Sequence, residues 1–390
     1  MRPRTPLFLL APLAVALAAP AAPPARADQP PAHSACFAPS VAILHAADDA
    51  RDPAVPACGP GDGWATIADG EQAATARCDR AGRPIDLARV LEGALPLDQP
   101  TREHVRHLFR IGQAHGRRAD AFGLVGDSMT VSGNFLRPFA RGGAHVVLPP
   151  DVERALTLSA PGSDGRPRTV LEVFRDAPDS FLAPRAAKVG ACARWALAPR
   201  GAKEASPLEA MVAAVSPAYA VVLYGANDAV WRTDSLPLLT REFGAALSGI
   251  VDALEARGIV PILTTVPKHM REAGFPDCPR SAQGGANERF AAQATALSVA
   301  VADLACERHL PLVDLRWALD PLLDHGVGPD GVHLSVHPNG GGVLDESGLQ
   351  CGYNVRNLVT LRELALVVNA ATAPEAPAAT RSLTRPASVW

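Results

Sequence analysis

The stretch that decides the fold is residues 219–228, YAVVLYGAND, a short apolar run that ends in Gly225 and polar residues. An uninterrupted apolar run of this length is typical of a strand buried on both faces, as in a parallel sheet. Similar runs occur at 122–125, 260–265 and 310–315. We therefore predict four strands that belong to one parallel sheet.

Between these runs, apolar residues recur at helical spacing. After the second strand, five apolar residues separated by four, four, three and four positions share one helix face: Leu239, Phe243, Leu247, Ile250 and Leu254. Comparable patterns predict helices over 101–115, with Thr101 as the N-cap, over 290–304 and over 355–368. Short strands that alternate with helices imply right-handed βαβ units, so we predict an α/β domain over residues 101–370.

The composition of the 390-residue chain excludes several classes of protein. Its 37 lysine and arginine residues are matched by 40 aspartate and glutamate residues, so the chain lacks the basic excess of a nucleic-acid-binding protein. Hydrophobic residues make up 48% of the chain, which is too high a fraction for an intrinsically disordered protein. We therefore expect a folded protein that binds no nucleic acid.

The two ends of the chain differ from the predicted domain. Residues 1–27 combine early arginines, an apolar run and the small-residue motif ARA at 25–27, which is typical of a cleaved signal peptide. The apolar run is short for a bilayer span, so we expect a secreted or periplasmic protein without a stable membrane anchor. Residues 28–100 are predicted to form a loop-rich, cysteine-containing extension, and residues 371–390 a flexible tail.

The chain has seven cysteines, at positions 36, 58, 78, 192, 278, 306 and 351. In an exported protein we expect disulfides, and an odd count leaves at least one cysteine outside an intramolecular pair. No two cysteines have the Cys-x-x-Cys spacing, which argues against a structural zinc site.

Three polar motifs lie in loops after the predicted strands, where parallel sheets collect functional groups. They are Gly126-Asp127-Ser128, Gly225-Ala226-Asn227-Asp228 and Asp330-Gly331-Val332-His333. A serine hydroxyl becomes an effective nucleophile when a base takes its proton, and His333 is the candidate base for Ser128. Asp330 lies three residues before this histidine, where its carboxylate can orient the imidazole and stabilise the imidazolium.

Attack of a serine on an ester carbonyl develops an oxyanion, which needs preorganised hydrogen-bond donors. The backbone N–H of Ser128 and the side-chain amide of Asn227 are the candidate donors. The supporting residues, which we expect to shape or orient these loops, are Gly126, Asp127, Gly225 and Asp228. Thr130 and Asn134 are further candidates for lining the site. The alternatives are that Ser128 is a helix N-cap and Asn227 a turn residue.

Together these motifs resemble the main blocks of the SGNH hydrolases, also called GDSL esterases and lipases. The resemblance implies a three-layer α/β/α sandwich with a mostly parallel, flavodoxin-like sheet, and a serine esterase that needs no metal or organic cofactor. The remaining block of that family supplies a glycine N–H to the oxyanion hole, and Gly190 matches it best. Met129 departs from the usual Leu or Ile after the nucleophile. The stretches around Gly190 and 354–358 look like those of a bacterial subgroup of undefined substrate.

The chain lacks the sequence patterns of two other kinds of site. An α/β-hydrolase would need Gly-x-Ser-x-Gly, which does not occur in the chain. The histidines His104, His107 and His337 lack an accompanying carboxylate–histidine cluster, so we interpret them as surface residues rather than metal ligands. Trp195 and Trp231 are interpreted either as a wall of the substrate site or as buried packing, and packing is favoured.

The sequence therefore predicts an exported serine hydrolase that cleaves a carboxylic ester through an acyl-enzyme. By analogy with the fold, the expected substrate is an O-acetylated carbohydrate or another small ester. Two alternatives stay open, namely an acyltransferase on the same scaffold and a catalytically silent binding module. The presence of Ser128, Asn227 and His333 together argues against the silent module.

Overall fold

The computed structural model describes residues 85–374, except 144, 177–178, 200, 202–203, 232–234, 269–285 and 329–330. All of these residues belong to one of the two units into which the chain divides, Cys36–Trp390. The predicted signal peptide, most of the predicted extension and most of the predicted tail lie outside the described residues.

In the described part of the chain, five strands form one sheet. They are β1 Arg118–Gly126, β2 Ala186–Ala187, β3 Pro217–Leu223, β4 Val260–Thr264 and β5 Leu312–Val313. Their order is β2-β1-β3-β4-β5, and every neighbouring pair is parallel. The predicted flavodoxin-like sheet is therefore confirmed. Strand β2 was not predicted, because two alanines that pair only with Val125 and Gly126 form no recognisable apolar run.

Eleven α-helices accompany the sheet in the described residues. They are α1 Leu87–Leu91, α2 Gln99–Ala114, α3 Ser128–Val131, α4 Pro150–Ala155, α5 Val170–Arg175, α6 Pro207–Val215, α7 Ala226–Trp231, α8 Leu236–Glu255, α9 Ala286–Glu307, α10 Leu315–Leu319 and α11 Gly352–Thr372. The five residues of the predicted stripe are all buried on α8. The N-cap prediction for α2 was wrong: Asp98 caps this helix, and its carboxylate accepts the N–H of Thr101 at 2.9 Å.

Two apolar cores cover the two faces of the sheet. Alternate residues of β3 divide between them, with Tyr219 and Val221 on one face and Ala220 and Val222 on the other. Helices α2, α5 and α11 pack on the first face, and α6, α8 and α9 on the second. Because successive strand residues point to opposite faces, this division confirms the three-layer α/β/α sandwich.

The last part of the predicted extension packs against the domain. Val90 of α1 is buried in the first core, and Ala94 forms an antiparallel bridge with Val313 of the edge strand β5. The carbonyl of Gly93 accepts the N–H of Asp314 at 2.7 Å. The chain from α1 onward is therefore joined to the sheet by backbone hydrogen bonds as well as by apolar contacts.

Helix α9 contains a segment, Phe290–Glu307, that is long and apolar enough to cross a membrane by composition. Ala294, Leu297 and Val301 of this segment are buried in the second core. A core helix of an α/β domain has this pattern, since one of its faces packs on the sheet.

Candidate active site

The candidate nucleophile lies where strand β1 turns directly into helix α3. Asp127 is the N-cap of α3, and its Oδ1 accepts the N–H of Met129 at 3.0 Å. Ser128 is therefore the first helical residue and not the N-cap, which was the alternative interpretation. The turn needs a glycine at 126, since a Cβ there would lie 2.3 Å from Thr130 Oγ1 and 2.6 Å from the carbonyl oxygen of Leu223.

The side chains of Ser128 and His333 meet in the structure. Ser128 Oγ lies 2.8 Å from His333 Nε2, although the two residues are 205 positions apart. Ser128 is 4% exposed, so most of its surface is covered by protein. This is the contact that a serine nucleophile and its base require.

The loop that carries His333 is fastened to its neighbours by backbone hydrogen bonds. Gly328 N–H donates to the carbonyl of His333 at 2.6 Å, and Ser335 N–H donates to that of Gly326 at 2.8 Å. Ser335 in turn accepts the N–H of Gly352, the first residue of α11, at 2.9 Å on its Oγ. The position of the candidate base is thus tied to the start of α11.

Asp330, the predicted third member of the triad, lies outside the described residues. Of the described residues that flank it, Gly331 donates its N–H to the carbonyl of Gly328 at 3.0 Å. The role of Asp330 stays a prediction.

Asn227 and Asp228 follow strand β3 in the first turn of α7 and contact the segment after Gly190. Asn227 Nδ2 donates to the carbonyl of Ala191 at 3.2 Å, and the Asp228 carboxylate accepts the N–H of Ala193 at 3.2 Å. Both side chains are buried. Gly225, before α7, has a φ of 124°, which a residue with a side chain rarely adopts. Asp228, which we expected to orient a loop, thus contacts the segment that follows Gly190.

The segment that contains Gly190 lies beside the nucleophile turn. Lys188 N–H donates to the carbonyl of Gly126 at 3.2 Å, and Ala191 N–H donates back to the carbonyl of Lys188 at 3.2 Å. Gly190, between them, has a φ of 76° and is exposed. Ser128, Gly190 and Asn227 are the three predicted oxyanion donors, and the structure brings together the loops that carry them.

Charged groups are buried next to the nucleophile. Asp127 is fully buried, and burial raises the pKa of its carboxyl to about 6, although the positive charge of Arg356 and the N–H of Met129 oppose the rise. Burial also lowers the pKa of Arg356 to about 10. The site therefore contains an acid and a base whose charged forms are both destabilised by loss of water.

Sequence reasoning missed two arginines, Arg356 and Arg185, whose side chains reach the backbone of α3 and the residues after it. A signal for Arg356 was present, since it is a charged residue within the apolar pattern of the last helix. For Arg185 the sequence carries no comparable signal.

Other candidate residues have different surroundings. Thr130 is buried and accepts a hydrogen bond from Arg356 on Oγ1, and Asn134 Oδ1 accepts the N–H of Gly341 at 3.3 Å. Trp195 packs at the edge of the second core, and the side chain of Trp231 is not among those described.

The predicted surface histidines have polar contacts. His104 Nε2 lies 2.9 Å from Glu255 Oε1, and His337 Nδ1 accepts the N–H of Asn339 at 3.2 Å. Within the described ranges, no group of three or more His, Cys, Asp or Glu residues is placed to hold a metal ion.

Comparison with known proteins places the chain in a family. The profile of the GDSL-like Lipase/Acylhydrolase family matches residues 124–343, which is more than half of the 390 residues and includes both Ser128 and His333. Among solved structures, the lipase/acylhydrolase from Enterococcus faecalis is similar, with 18% identity and a TM-score of 0.36 over 63% of this chain and 95% of that chain. The comparison with curated proteins gives no match. The chain belongs to the GDSL-like lipase/acylhydrolase family and is a hydrolase that acts on esters.

Proposed function

We propose that the protein is an exported serine esterase that hydrolyses small carboxylic esters through an acyl-enzyme on Ser128. The observation that carries this proposal is the 2.8 Å contact between Ser128 Oγ and His333 Nε2. A hydroxyl in contact with an imidazole can transfer its proton as the oxygen attacks a carbonyl carbon.

The proposed reaction has two halves. In the first, Ser128 Oγ attacks the ester carbonyl while His333 Nε2 takes the proton, and the imidazolium then gives this proton to the departing alcohol. In the second, His333 takes a proton from a water molecule, whose oxygen attacks the acyl carbon. The bond to Ser128 Oγ then breaks, the imidazolium returns the proton to this oxygen, and the acid is released. We assign Asp330 the role of orienting His333 on the basis of its spacing, three residues before the histidine.

The backbone N–H groups of Ser128 and Gly190 and the amide of Asn227 are the proposed oxyanion donors. Ser128 begins α3, and the first N–H groups of a helix have no partner within it. The hydrogen bond from Lys188 N–H to the carbonyl of Gly126 holds the Gly190 segment beside the nucleophile. Donors fixed by the fold need no reorganisation when the negative charge develops, which is why they favour the transition state.

We propose a small acyl group, such as the acetyl group of an O-acetylated carbohydrate, as the part of the substrate bound at Ser128. The nucleophile is only 4% exposed, which favours a short acyl chain at this position. Export is supported by the leader-like composition of residues 1–27. The proposal includes disulfides among the cysteines; Cys192 carries a thiol in the structure.

A panel of 4-nitrophenyl esters of increasing acyl length tests this function. We expect wild type to prefer the shortest esters and Ser128→Ala and His333→Gln each to lose activity by about 10⁴-fold or more. Ser163→Ala, a change of an exposed serine in a surface turn, serves as the matched control and should retain wild-type activity. Absence of turnover by wild type would contradict the proposal.

Covalent labelling tests the identity of the nucleophile. A fluorophosphonate should label Ser128 in wild type, and mass spectrometry that finds the label on another residue would overturn the assignment. Product analysis with an added sugar acceptor distinguishes hydrolysis from acyl transfer, since a transferase would give acylated sugar instead of free acid. Intact-mass measurement of the exported protein tests cleavage after Ala27 and counts the thiols.

A further inference from the structure

The nucleophile stands on a helix too short to hold its own shape. Helix α3 has four residues and three backbone hydrogen bonds, each 3.0 Å long: Thr130 N–H and Val131 N–H both donate to the carbonyl of Asp127, and Ser132 N–H donates to that of Ser128. A single helical turn is unstable by itself, and its last carbonyl groups have no partners within the helix. The orientation of Ser128 therefore depends on groups that reach α3 from elsewhere.

Arg356 of helix α11 supplies one such group. Its Nη1 donates to the carbonyl of Met129 at 2.7 Å, and its Nη2 donates to Thr130 Oγ1 at 3.2 Å. The guanidinium carbon lies 3.5 Å from the ring centroid of Phe135, so the ring covers one face of the group. Arg356 is 1% exposed. Both ends and one face of its guanidinium are thus in contact with α3 and the residues just after it.

Arg185, directly before strand β2, supplies the second group. Its guanidinium donates to consecutive or nearby carbonyl groups at the end of α3, those of Thr130, Val131, Ser132 and Phe135. The last two hydrogen bonds are 3.2 and 3.1 Å long. One planar guanidinium therefore joins the end of the helix to the loop that follows it.

Burial of the two charged guanidinium groups is unfavourable. Burial lowers the pKa of each guanidinium to about 10, which means that the surroundings disfavour the charge. Neither forms an ion pair within 4.0 Å among the described residues. An apolar side chain of similar size would fill the space without a buried charge. The hydrogen bonds to the backbone around Ser128 are what an apolar replacement could not make.

Helix α11 also anchors the loop of the base. Tyr353 N–H donates to the carbonyl of Ser335 at 2.9 Å. Ser335 lies two residues after His333, and Tyr353 lies one turn before Arg356 on α11. The first turns of one rigid helix therefore hold both the nucleophile helix and the base loop.

On this basis we propose that Arg356 is a positioning residue, assisted by Arg185, which keeps Ser128 Oγ within hydrogen-bond distance of His333 Nε2. Arg356 acts through the backbone of α3. The inference rests on the proposed function, because it concerns the alignment of that nucleophile and base. Misplacement of a reacting atom by about 1 Å can cost about 100-fold in rate.

The test compares Arg356→Met, Arg356→Lys and Arg185→Met with wild type, using 4-nitrophenyl acetate. We expect Arg356→Met to lower kcat by about 10- to 100-fold, with KM within about twofold, since Arg356 contacts protein groups around the serine. Arg356→Lys keeps the charge and one donor nitrogen but not the planar fork, so it should recover part of kcat. Arg185→Met should also lower kcat, and the rate of fluorophosphonate labelling of Ser128 should fall in parallel.

Arg362→Met is the matched control. Arg362 lies on the same helix and donates to a backbone carbonyl, that of Ala155, at 2.6 Å, but does not reach α3. We expect it to keep kcat within about twofold of wild type while losing a similar hydrogen bond. An equal loss of kcat in Arg362→Met would show that general stability of the helix is responsible, and would overturn the inference.

The remaining outcomes are distinct. If Arg356→Met does not fold, the lysine variant and Arg185→Met carry the test. Folded variants that retain wild-type kcat and labelling rate would overturn the positioning role while the esterase stands. A wild type that neither hydrolyses esters nor reacts with fluorophosphonate would overturn the proposed function, and the inference with it.

Discussion

Replacement of Asp127 by asparagine should change how the stability of the protein depends on pH. The carboxyl of Asp127 is fully buried, and its Oδ1 accepts the N–H of Met129 while its Oδ2 has no hydrogen-bond partner among the described residues. Burial raises its pKa from 3.8 to about 6, and the charge of Arg356 limits the rise. Asparagine has nearly the same shape and retains an oxygen for Met129, but it carries no charge at any pH.

The magnitude follows from proton linkage. Because the folded protein binds this proton more tightly than the unfolded chain does, the contribution of Asp127 to the stability is greatest below pH 3.8 and is lost as the pH rises through about 6. A difference of one in pKa corresponds to about 1.4 kcal/mol, so ionisation of Asp127 costs about 3 kcal/mol in total. The stability of Asp127→Asn relative to wild type should therefore increase by about 3 kcal/mol from acid to pH 8, mostly between pH 4 and pH 7.

Urea unfolding of the two proteins at pH 4, 5, 6, 7 and 8 measures this difference, because the titration of all other groups cancels between them. Asp151→Asn, the same substitution at an exposed residue, is the control for the change of side chain itself. A flat difference for Asp127→Asn would refute the argument. A difference of the opposite sign would show that Arg356 holds Asp127 as a stabilised carboxylate and that burial does not dominate.

Two further changes test the loops around the site. Asn357→Leu removes three buried hydrogen bonds to backbone groups and should lower the free energy of unfolding by about 3–5 kcal/mol. Urea unfolding measures this; the control Asn369→Leu removes one exposed hydrogen bond, and equal losses would contradict the reasoning. Gly126→Ala places a Cβ 2.3 Å from Thr130 Oγ1 and should lower ester hydrolysis more than tenfold, by distorting a turn whose alignment is worth about 100-fold per 1 Å. Gly165→Ala, a positive-φ glycine outside the site, has open space and should cost only about 1–2 kcal/mol of backbone strain in thermal unfolding, so an equal loss of activity in this variant would refute the steric argument.

Much of the fold could be predicted because parallel strands that are covered on both faces consist of continuous apolar residues in the sequence. The runs at 219–224 and 260–265 correspond to β3 and β4 within one or two residues. Strand β2 could not be found in this way. It exists because Ala186 and Ala187 lie beside the end of β1, and pairing of this kind depends on a neighbour that is distant in the sequence.

The candidate site likewise has residues that could be predicted from the sequence and residues that could not. Ser128 and Asn227 could be located because loops after parallel strands meet at one edge of the sheet, and the polar side chains in them stand out against apolar neighbours. The contacts of Arg356 and Arg185 could not be predicted, although Arg356 stands out as a charged residue in an apolar pattern, because both arginines bind backbone carbonyl groups. Every residue has a carbonyl, so the sequence at Met129 carries no mark of a partner 227 positions away.

The polar residues at the start of α11 explain how irregular loops can hold a site in place. Asn354, Arg356 and Asn357 are fully or almost fully buried in a helix whose other residues are mainly apolar. A buried polar group is costly without a partner, and Asn354 Nδ2, Asn357 and the two Nη atoms of Arg356 obtain partners from loops and from the short helix α3. Asn354 donates to the carbonyls of Gly340 and Val343, as Arg356 does to that of Met129. The side chains and the loops thus satisfy each other, so the loops gain the rigidity of the helix. Alignment of the candidate nucleophile and base is therefore a property of α11 as much as of the sheet edge on which they stand.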